Sequence, residues 1–387
     1  MKKINCLIYL CVGNPSVLEA QVLELLNYYN SNNTFPEVIL LQGYKNKKEK
    51  IAIEKKLQPY PIKYIWFKYY PIYFLPSIFT IISLYKSLNR IIKDKKSYFL
   101  HIRSDMFGFF VKIIFGIKKW PLNILIDVRG IGTAGLTYKK RLSNTAYVRS
   151  YFKMKLIKFE YKHLFKQPYI HLSVVSPAIK KEFISKYNYP EKYITVNPNI
   201  SGQQFKFDPL SRKNIRKEYG FRDSDLVAIC SSNGGAKWQK DFEIIKHLVN
   251  IGIKVVNLSP HPVKIEGLIN KIVPFQEMPK YLSAADIAIL WRENDFMNEV
   301  ASPSKFSEFA SMGLFVIHNG SVDIAQKHII NTNAGTIIKQ PEEITYEKLK
   351  NIDFSKRAYW SDAGISLFGI ENIAENYVSK YNEIYNS

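Results

Sequence analysis

Residues 291–317 read WRENDFMNEVASPSKFSEFASMGLFVI, and this stretch decides the fold. Ser302 and Pro303 are typical of a helix start, with serine at the N-cap and proline at the first helical position, where a missing N–H costs nothing. The residues after them recur at spacings of three and four, as on the buried face of a helix: Phe306, Phe309 and Ala310. Gly313 is predicted to end that helix, and Leu314–Ile317 to form a buried strand.

The predicted helix carries Lys305 in its first turn and Glu308 one turn later. Free N–H groups and the positive end of the helix dipole bind phosphate, and a lysine adds charge at the same place. A carboxylate one turn deeper can accept hydrogen bonds from two hydroxyls, such as those of a ribose. The pattern therefore predicts a site for a nucleoside diphosphate.

The stretch SPSKFSEFASMGLFVI resembles the donor-nucleotide motif of GT-B glycosyltransferases, in particular the retaining family 4 enzymes of bacterial capsule, O-antigen and other surface polysaccharides. Phe309 replaces the family's usual tyrosine and Phe315 its proline. The family's earlier glutamate falls on Val300, beside Glu299, so its sugar-contacting role has no assigned residue here.

The resemblance implies an α/β fold of GT-B type, with two Rossmann-like doubly wound domains facing across a cleft. We expect an acceptor-binding domain over residues 1–203 and a nucleotide-sugar-binding domain over 204–365. A helix in residues 366–387 is expected to pack back on the first domain.

Composition and charge describe a basic globular chain of 387 residues, 47% hydrophobic, with a net charge of +22. Such a charge predicts attraction to polyanions. Lysines outnumber arginines and aromatic residues are abundant, which favours an anionic membrane surface over nucleic acid. Cys6, Cys11 and Cys230 lack metal-ligand spacing and indicate free thiols in a reducing cytosol. No run of about 18 apolar residues predicts a transmembrane helix. We interpret the apolar N-terminal run as a first strand rather than a signal peptide.

The first half reads as alternating strands and helices, starting with a strand over Ile4–Val12 and a Gly-bearing loop. Open α/β sheets place their chemistry at the carboxyl ends of strands. Three side chains follow or end predicted strands there: Arg103, Asp127 and Arg129. By resemblance, Gly13, Ser16 and Arg103 are expected to line the acceptor cleft, and Asp127 and Arg129 to face the transferred sugar. Alternatively, Asp127 and Arg129 pair with each other across a loop.

Two segments, Ser77–Ile92 and Met106–Trp120, combine aromatic, aliphatic and cationic residues. Aromatic residues beside cations suit the headgroup region of a bilayer, which predicts peripheral binding to the inner leaflet. The alternative is that both are ordinary core helices with solvated lysines. A further long basic helix is predicted over Asn144–Lys166.

In the second half, Ser201–Arg216 is polar and reads as an interdomain linker. A strand over Leu226–Ser231 precedes SNGGAKWQK, in which Gly234, Gly235 and Lys237 are expected to approach the donor diphosphate. KIVPF, residues 271–275, reads as a short strand, and the resemblance implies that Val273 contacts the nucleobase. Arg292, Asn298 and Ser304 complete the expected donor site.

The predicted activity is retaining transfer of a sugar from a UDP- or GDP-sugar to a polyprenyl-diphosphate-linked glycan. Arg292, Lys237 and Lys305 would neutralise the departing diphosphate, which makes Arg292 and Lys305 catalytic candidates together with Asp127 and Arg129. No metal or other cofactor is expected. Asp223-Ser224-Asp225 reads as a turn rather than a metal motif, and the histidines lack ligand spacing. Two alternatives remain: a GT-B-type nucleotide-sugar epimerase, and a non-enzymatic polyanion- or membrane-binding protein.

Overall fold

The computed structural model describes residues 3–13, 17–70, 75–93, 95, 97–135, 137, 151, 154–155, 157–159, 161–162, 169–231 and 239–387, without the side chains of 75–77. Its residues form two compact units. The first comprises Met1–Asn197 and Ile373–Ser387, and the second comprises Pro198–Asn372. The predicted boundaries were 203 and 365.

Within its described residues, the first unit is built on a seven-stranded parallel sheet, in the order β3-β2-β1-β4-β5-β6-β7. This is the doubly wound order, in which the chain reverses direction across the sheet between β1 and β4. The central strands are buried on both faces, as their continuous apolar runs predict. The strands are β1 Cys6–Val12, β2 Glu37–Tyr44, β3 Lys63–Lys68, β4 Tyr98–Ile102, β5 Ile124–Val128, β6 His171–Val174 and β7 Ile194–Val196.

The helices of the first unit begin where the sequence places capping residues. Asn46 accepts a hydrogen bond from the backbone N–H of Glu49, and Ser104 and Ser176 cap the two helices that follow them. The helices are α1 Glu24–Ser31, preceded by a π-helical turn Glu19–Leu23, α2 Lys47–Leu57, α3 Leu75–Ile92, α4 Asp105–Lys118 and α5 Pro177–Tyr187. The predicted helix over 144–166 lies largely outside the described residues.

The second unit contains a parallel sheet of six described strands, in the order β10-β9-β8-β11-β12-β13. The chain again reverses direction across the sheet between its first strand, β8, and β11. The strands are β8 Val227–Cys230, β9 Lys254–Leu258, β10 Leu268–Lys271, β11 Ile287–Leu290, β12 Phe315–His318 and β13 Gly335–Ile337. The prediction of a strand over 271–275 was wrong, since the strand ends at Lys271 and a 3-10 turn covers Phe275–Glu277.

Helices cover this second sheet and continue to the C-terminus. They are α6 Pro209–Glu218, α7 Asp241–Asn250, α8 Met278–Ala284, α9 Phe296–Glu299, α10 Ser304–Ser311, α11 Asp323–Thr332, α12 Tyr346–Lys350, α13 Arg357–Phe368 and α14 Ile370–Asn386. The last helix begins in the second unit, and its residues from Ile373 onward belong to the first. The predicted fold class, α/β with two Rossmann-like sheets, is confirmed.

The prediction of a linker over Ser201–Arg216 was wrong, because α6 occupies its second half. Asp208 accepts hydrogen bonds from the N–H groups of Leu210 and Ser211, and Pro209 takes the first helical position. The helix has few apolar residues, and a buried arginine fixes it to the second unit. Arg216 donates to Asp286 at 2.7 Å and to the backbone oxygen of Ala284.

Helix α10 packs directly against α13, which holds it in place. A Cβ on Gly364 would lie 2.3 Å from the backbone of Ala310, so the two helices cross in direct backbone contact. Ser361 donates to the carbonyl oxygen of Ser311 at 2.6 Å. Gly313 has φ +63° and directs the chain from α10 into β12, as predicted.

Candidate functional site

Helix α10 begins at Ser304, two residues after the predicted N-cap. Pro303 occupies the N-cap position, and no side chain there accepts a hydrogen bond from the first turn. The hydroxyl of Ser302 instead accepts the backbone N–H of Asn199 at 3.0 Å. The helix therefore presents its first N–H groups without a side-chain cap, which is the arrangement that binds anions.

Lys305 and Glu308 lie on this helix start and are largely buried. Glu308 is 5% exposed, and Lys305 is partly exposed. Burial raises the pKa of Glu308 to about 8 and lowers the pKa of Lys305 to about 8. Within the described part of the chain, neither side chain has a hydrogen bond or an ion pair within 4.0 Å. A carboxyl group and an amino group that are buried without direct partners are costly in the free protein and form a ready site for a ligand.

The electrostatic neighbours of Lys305 are one residue of its own helix and three side chains at the carboxyl edge of the second sheet, where the sheet reverses between β8 and β11. They are Cys230, Glu308, Arg292 and Asp241, in decreasing order of effect. The thiol of Cys230 donates to Asp241 Oδ2 at 3.1 Å, at the start of α7. The sequence singled out Arg292 but not Cys230 or Asp241, which become relevant only because their strand and helix ends converge here.

Arg292 follows β11 and is held in place by two asparagines. Its Nη1 donates to Asn298 Oδ1 at 3.4 Å, and Asn298 donates in turn to the carbonyl of Glu293 at 2.9 Å. Asn319, which no sequence motif marks, accepts the backbone N–H of Arg292 at 3.4 Å. Burial lowers the pKa of Arg292 to about 10, so the guanidinium remains charged at neutral pH.

His318 fixes the loop that follows β12. Its Nδ1 hydrogen-bonds the carbonyl of Leu290 at 2.8 Å, and its Nε2 accepts the N–H of Val322 at 3.2 Å. Burial lowers the pKa of His318 to about 4, so the imidazole stays neutral. The loop is thereby held against the end of β11, where Arg292 lies.

The remaining predicted donor residues have different outcomes. Gly234, Gly235 and Lys237 lie outside the described residues. Ser304 opens α10, beside Lys305. Val273 is half-buried against the core of the second unit, and no hydrogen bond or ion pair among the described residues joins it to Lys305 or Arg292.

The first unit has a separate polar cluster at the carboxyl edge of its sheet. Asp127, at the end of β5, is completely buried and lies 3.2 Å from Arg129 Nη1 and 3.6 Å from Arg103 Nη1. His101 Nε2 lies 3.5 Å from the same carboxylate, and Tyr9 stacks on the His101 ring with centroids 4.2 Å apart. The structure thus brings together the three side chains selected from the sequence and adds His101 and Tyr9.

The charges in this cluster are strongly coupled. The cations beside Asp127, led by Arg129, hold the pKa of its carboxyl well below the usual range despite burial. Burial lowers the pKa of His101. With a neutral imidazole, the two arginines and one carboxylate leave one excess positive charge. Gly13, also predicted here, follows β1 with φ +72°, whereas Ser16 lies outside the described residues.

No group of three or more histidine, cysteine, aspartate or glutamate side chains capable of holding a metal ion occurs in the described ranges. The three cysteines are buried, and none of them forms a disulfide within the described residues. None of the helices described is both long and apolar enough to cross a bilayer.

No protein-family model matches the chain, and no curated protein matches it in sequence. Its structure is similar to that of a glycosyltransferase from Rickettsia africae ESF-5, with 16% identity, 99% of each chain covered and a TM-score of 0.73. It is also similar to Anabaena HepE in complex with UDP-glucose, with 11% identity over 98% of this chain and 99% of that one, and a TM-score of 0.69.

A putative UDP-N-acetylglucosamine 2-epimerase from Listeria monocytogenes is less similar, with 11% identity, coverage of 99% of this chain and 98% of that chain, and a TM-score of 0.55. At these identities the similarities define the fold, which is that of GT-B glycosyltransferases. Function has to be argued from the site itself.

Proposed function

We propose that this protein is a retaining glycosyltransferase that moves a sugar from a nucleotide sugar to a lipid-linked glycan during the synthesis of a bacterial surface polysaccharide. UDP is the favoured nucleotide, because a similar structure holds UDP-glucose. GDP remains the alternative to be tested.

The observation that carries the proposal is the pair formed by Lys305 and Glu308 at an uncapped helix start. Both groups are buried without direct partners among the described residues, and burial shifts their pKa values in opposite directions. A nucleoside diphosphate satisfies both at once. Its phosphates accept hydrogen bonds from the ammonium and the helix N–H groups, and its ribose hydroxyls donate to the carboxylate.

The same geometry supports a role in the chemical step. As the bond between sugar and phosphate breaks, negative charge develops on the leaving diphosphate. Lys305, Arg292 and the N–H groups of Ser304 and Lys305 offer positive charge held in place beforehand, usually the largest catalytic contribution. The acceptor oxygen bonds to the sugar carbon on the side from which the diphosphate departs, and its proton passes to the departing phosphate oxygen. This proposal therefore needs neither a protein nucleophile nor a protein base. Asn298 acts by orienting Arg292.

Four other residues are proposed to contact the nucleotide sugar on the basis of the sequence resemblance alone. Gly234, Gly235 and Lys237 would approach the diphosphate, and Val273 would contact the base.

We assign Asp127 an anchoring role rather than a chemical one. Its carboxylate is fully buried beside two arginines and an imidazole, and its lowered pKa makes it a poor base. It holds Arg103 and Arg129 at the carboxyl edge of the first sheet. Their excess positive charge suits an anionic acceptor, such as a glycan on a polyprenyl diphosphate.

Helix α3 provides a surface suited to an anionic membrane. Its exposed face carries Ile78, Phe79 and Ile82, which are 52%, 60% and 44% exposed. The same face continues with the exposed cations Lys86, Arg90 and Lys93. Apolar residues followed by lysine and arginine fit the acyl boundary and the anionic headgroups, respectively. We therefore propose peripheral association with the cytoplasmic face of the membrane, where a lipid-linked acceptor would be met.

Titration calorimetry with UDP and GDP tests the nucleotide site directly. We expect one of them to bind the wild type, Lys305→Ala and Glu308→Ala each to weaken binding by about tenfold or more, and the exposed control Lys327→Ala to bind normally. Incubation with UDP-sugars then distinguishes the reactions. Release of UDP only with a lipid-linked acceptor supports transfer, and an epimerised nucleotide sugar formed without acceptor supports the epimerase. If neither nucleotide binds, both the transferase and the epimerase proposals are excluded.

A further inference from the structure

We propose that Asn199 is a positioning residue of the nucleotide site, acting through the start of α10 without touching the ligand. This inference rests on the proposed function. It concerns the segment Pro198–Ser201, which begins the second unit.

Asn199 forms hydrogen bonds with one residue before the start of α10 and with one residue inside the helix. Its backbone N–H donates to Ser302 Oγ at 3.0 Å, and its side-chain amide donates to the carbonyl of Ser302. Within the helix, Ser307 Oγ donates to the carbonyl of Asn199 at 2.7 Å. One residue thus fixes both the segment that leads into α10 and the second turn of the helix.

These bonds matter because they set the position of the anion-binding groups. Ser302 is separated from Ser304 only by Pro303, whose fixed φ transmits its position to the first free N–H groups. Ser302 and Ser307 are buried, so lost partners are not readily replaced by water. A displacement of the helix start would move the N–H groups and Lys305 relative to a bound diphosphate.

The other end of the helix is held independently. Ser361 bonds the carbonyl of Ser311, and Arg357 donates to the carbonyl of Met312 at 3.0 Å. Loss of the Asn199 contacts should therefore loosen the N-terminal end of α10 while the C-terminal end stays packed. The same short segment is anchored two residues further on, where Ser201 and Gly369 pair through their backbones. The backbone next to Asn199 is thus held in place by its own hydrogen bonds.

The test compares Asn199→Ala with Ser307→Ala, which removes one of the three bonds and favours the helix. Each substitution removes one hydrogen bond, the side-chain amide bond to Ser302 or the Ser307 hydroxyl bond, so we expect either variant to raise the UDP dissociation constant by about threefold to tenfold. The donor KM should rise in parallel, with a smaller fall in kcat. Gln203→Ala is the matched control, since Gln203 lies two residues after this segment and bonds only the exposed Glu371 among the described residues.

The outcomes separate the two proposals. If the wild type binds UDP and both variants bind it equally well while their melting temperatures fall, Asn199 is merely structural and this inference is overturned. If the wild type binds neither UDP nor GDP, the proposed function fails and the inference fails with it. Should Asn199→Ala not fold, the nucleotide affinity of Ser307→Ala decides.

Discussion

The hydroxyl of Tyr381 lies 2.6 Å from Nδ1 of His101, and both side chains are fully buried in the first unit. A proton on the other ring nitrogen, facing Asp127, leaves Nδ1 to accept from the tyrosine. Tyr377 and Tyr385 lie on the same face of α14, four residues before and four residues after Tyr381, and they form hydrogen bonds with Ser173 and Ser97 respectively. The C-terminal segment is thereby tied to the sheet that carries the Asp127 cluster.

Tyr381→Phe should destabilise the protein, because it leaves a buried imidazole nitrogen without its partner. We expect a loss of about 1–3 kcal/mol in the free energy of unfolding, measured by denaturant titration. Tyr385→Phe is the control, since its half-buried hydroxyl can be replaced by water, and its effect should be smaller. Equal effects of the two substitutions would contradict the argument.

Asp127→Asn should cost about 3–5 kcal/mol of stability, because it leaves two largely buried arginines without their counter-charge. The pKa of Asp127 lies below its usual value, so its stabilisation is present above the unfolded-state pKa and is lost as the pH falls. The difference between variant and wild type should therefore be largest near neutral pH and shrink in acid. A variant of normal stability that has lost turnover would instead make Asp127 a chemical group.

Glu308→Gln should make the free protein more stable at high pH. The pKa of Glu308 is raised from about 4.5 to about 8, so the folded state binds more protons than the unfolded state between these values. Wild-type stability from this group is present below the lower value and is lost as the pH rises through the higher one. The free energy of unfolding of both proteins is measured without nucleotide at about pH 5 and about pH 8. The stability of the variant relative to the wild type should be greater at the higher pH. A constant difference would mean that Glu308 is not shifted.

Lys305→Ala should lower turnover by about 10²-fold or more, because the ammonium would act where charge develops on the leaving diphosphate. Steady-state release of UDP from a saturating donor measures this. Lys327→Ala, on the exposed side of α11 and paired with Asp323, is the control. Normal turnover with a raised donor KM alone would confine Lys305 to binding.

Replacement of Ile78, Phe79 and Ile82 by serine should reduce binding to anionic vesicles. The substitutions remove the exposed apolar part of the α3 face but leave its cations. Co-sedimentation with vesicles containing phosphatidylglycerol measures the effect. The control is Ile330→Ser, because Ile330 is exposed on the second unit. No wild-type binding at low salt would exclude the membrane proposal.

Much of the architecture follows from local patterns. Strand and helix periods predict two doubly wound sheets, because an alternating series of buried strands and amphipathic helices packs in few other ways. The meeting of Asp127 with Arg103 follows from the same logic, since neighbouring parallel strands end at one edge. Lys305 and Glu308 share a helix start because their spacing is close to one helical turn.

The sequence by itself therefore determined the fold class and the residues at the carboxyl edges of the strands. Only the tertiary structure decided which partners those residues meet. Ser302 looked like a helix cap, yet its hydroxyl is taken by Asn199, which lies 103 residues earlier in the chain. His101 became part of the Asp127 cluster through β4 and β5 pairing, and Tyr381 reached it from 280 residues away. Local propensity depends on near neighbours, whereas buried hydrogen bonds and charge pairs depend on which distant segments the folded core brings together.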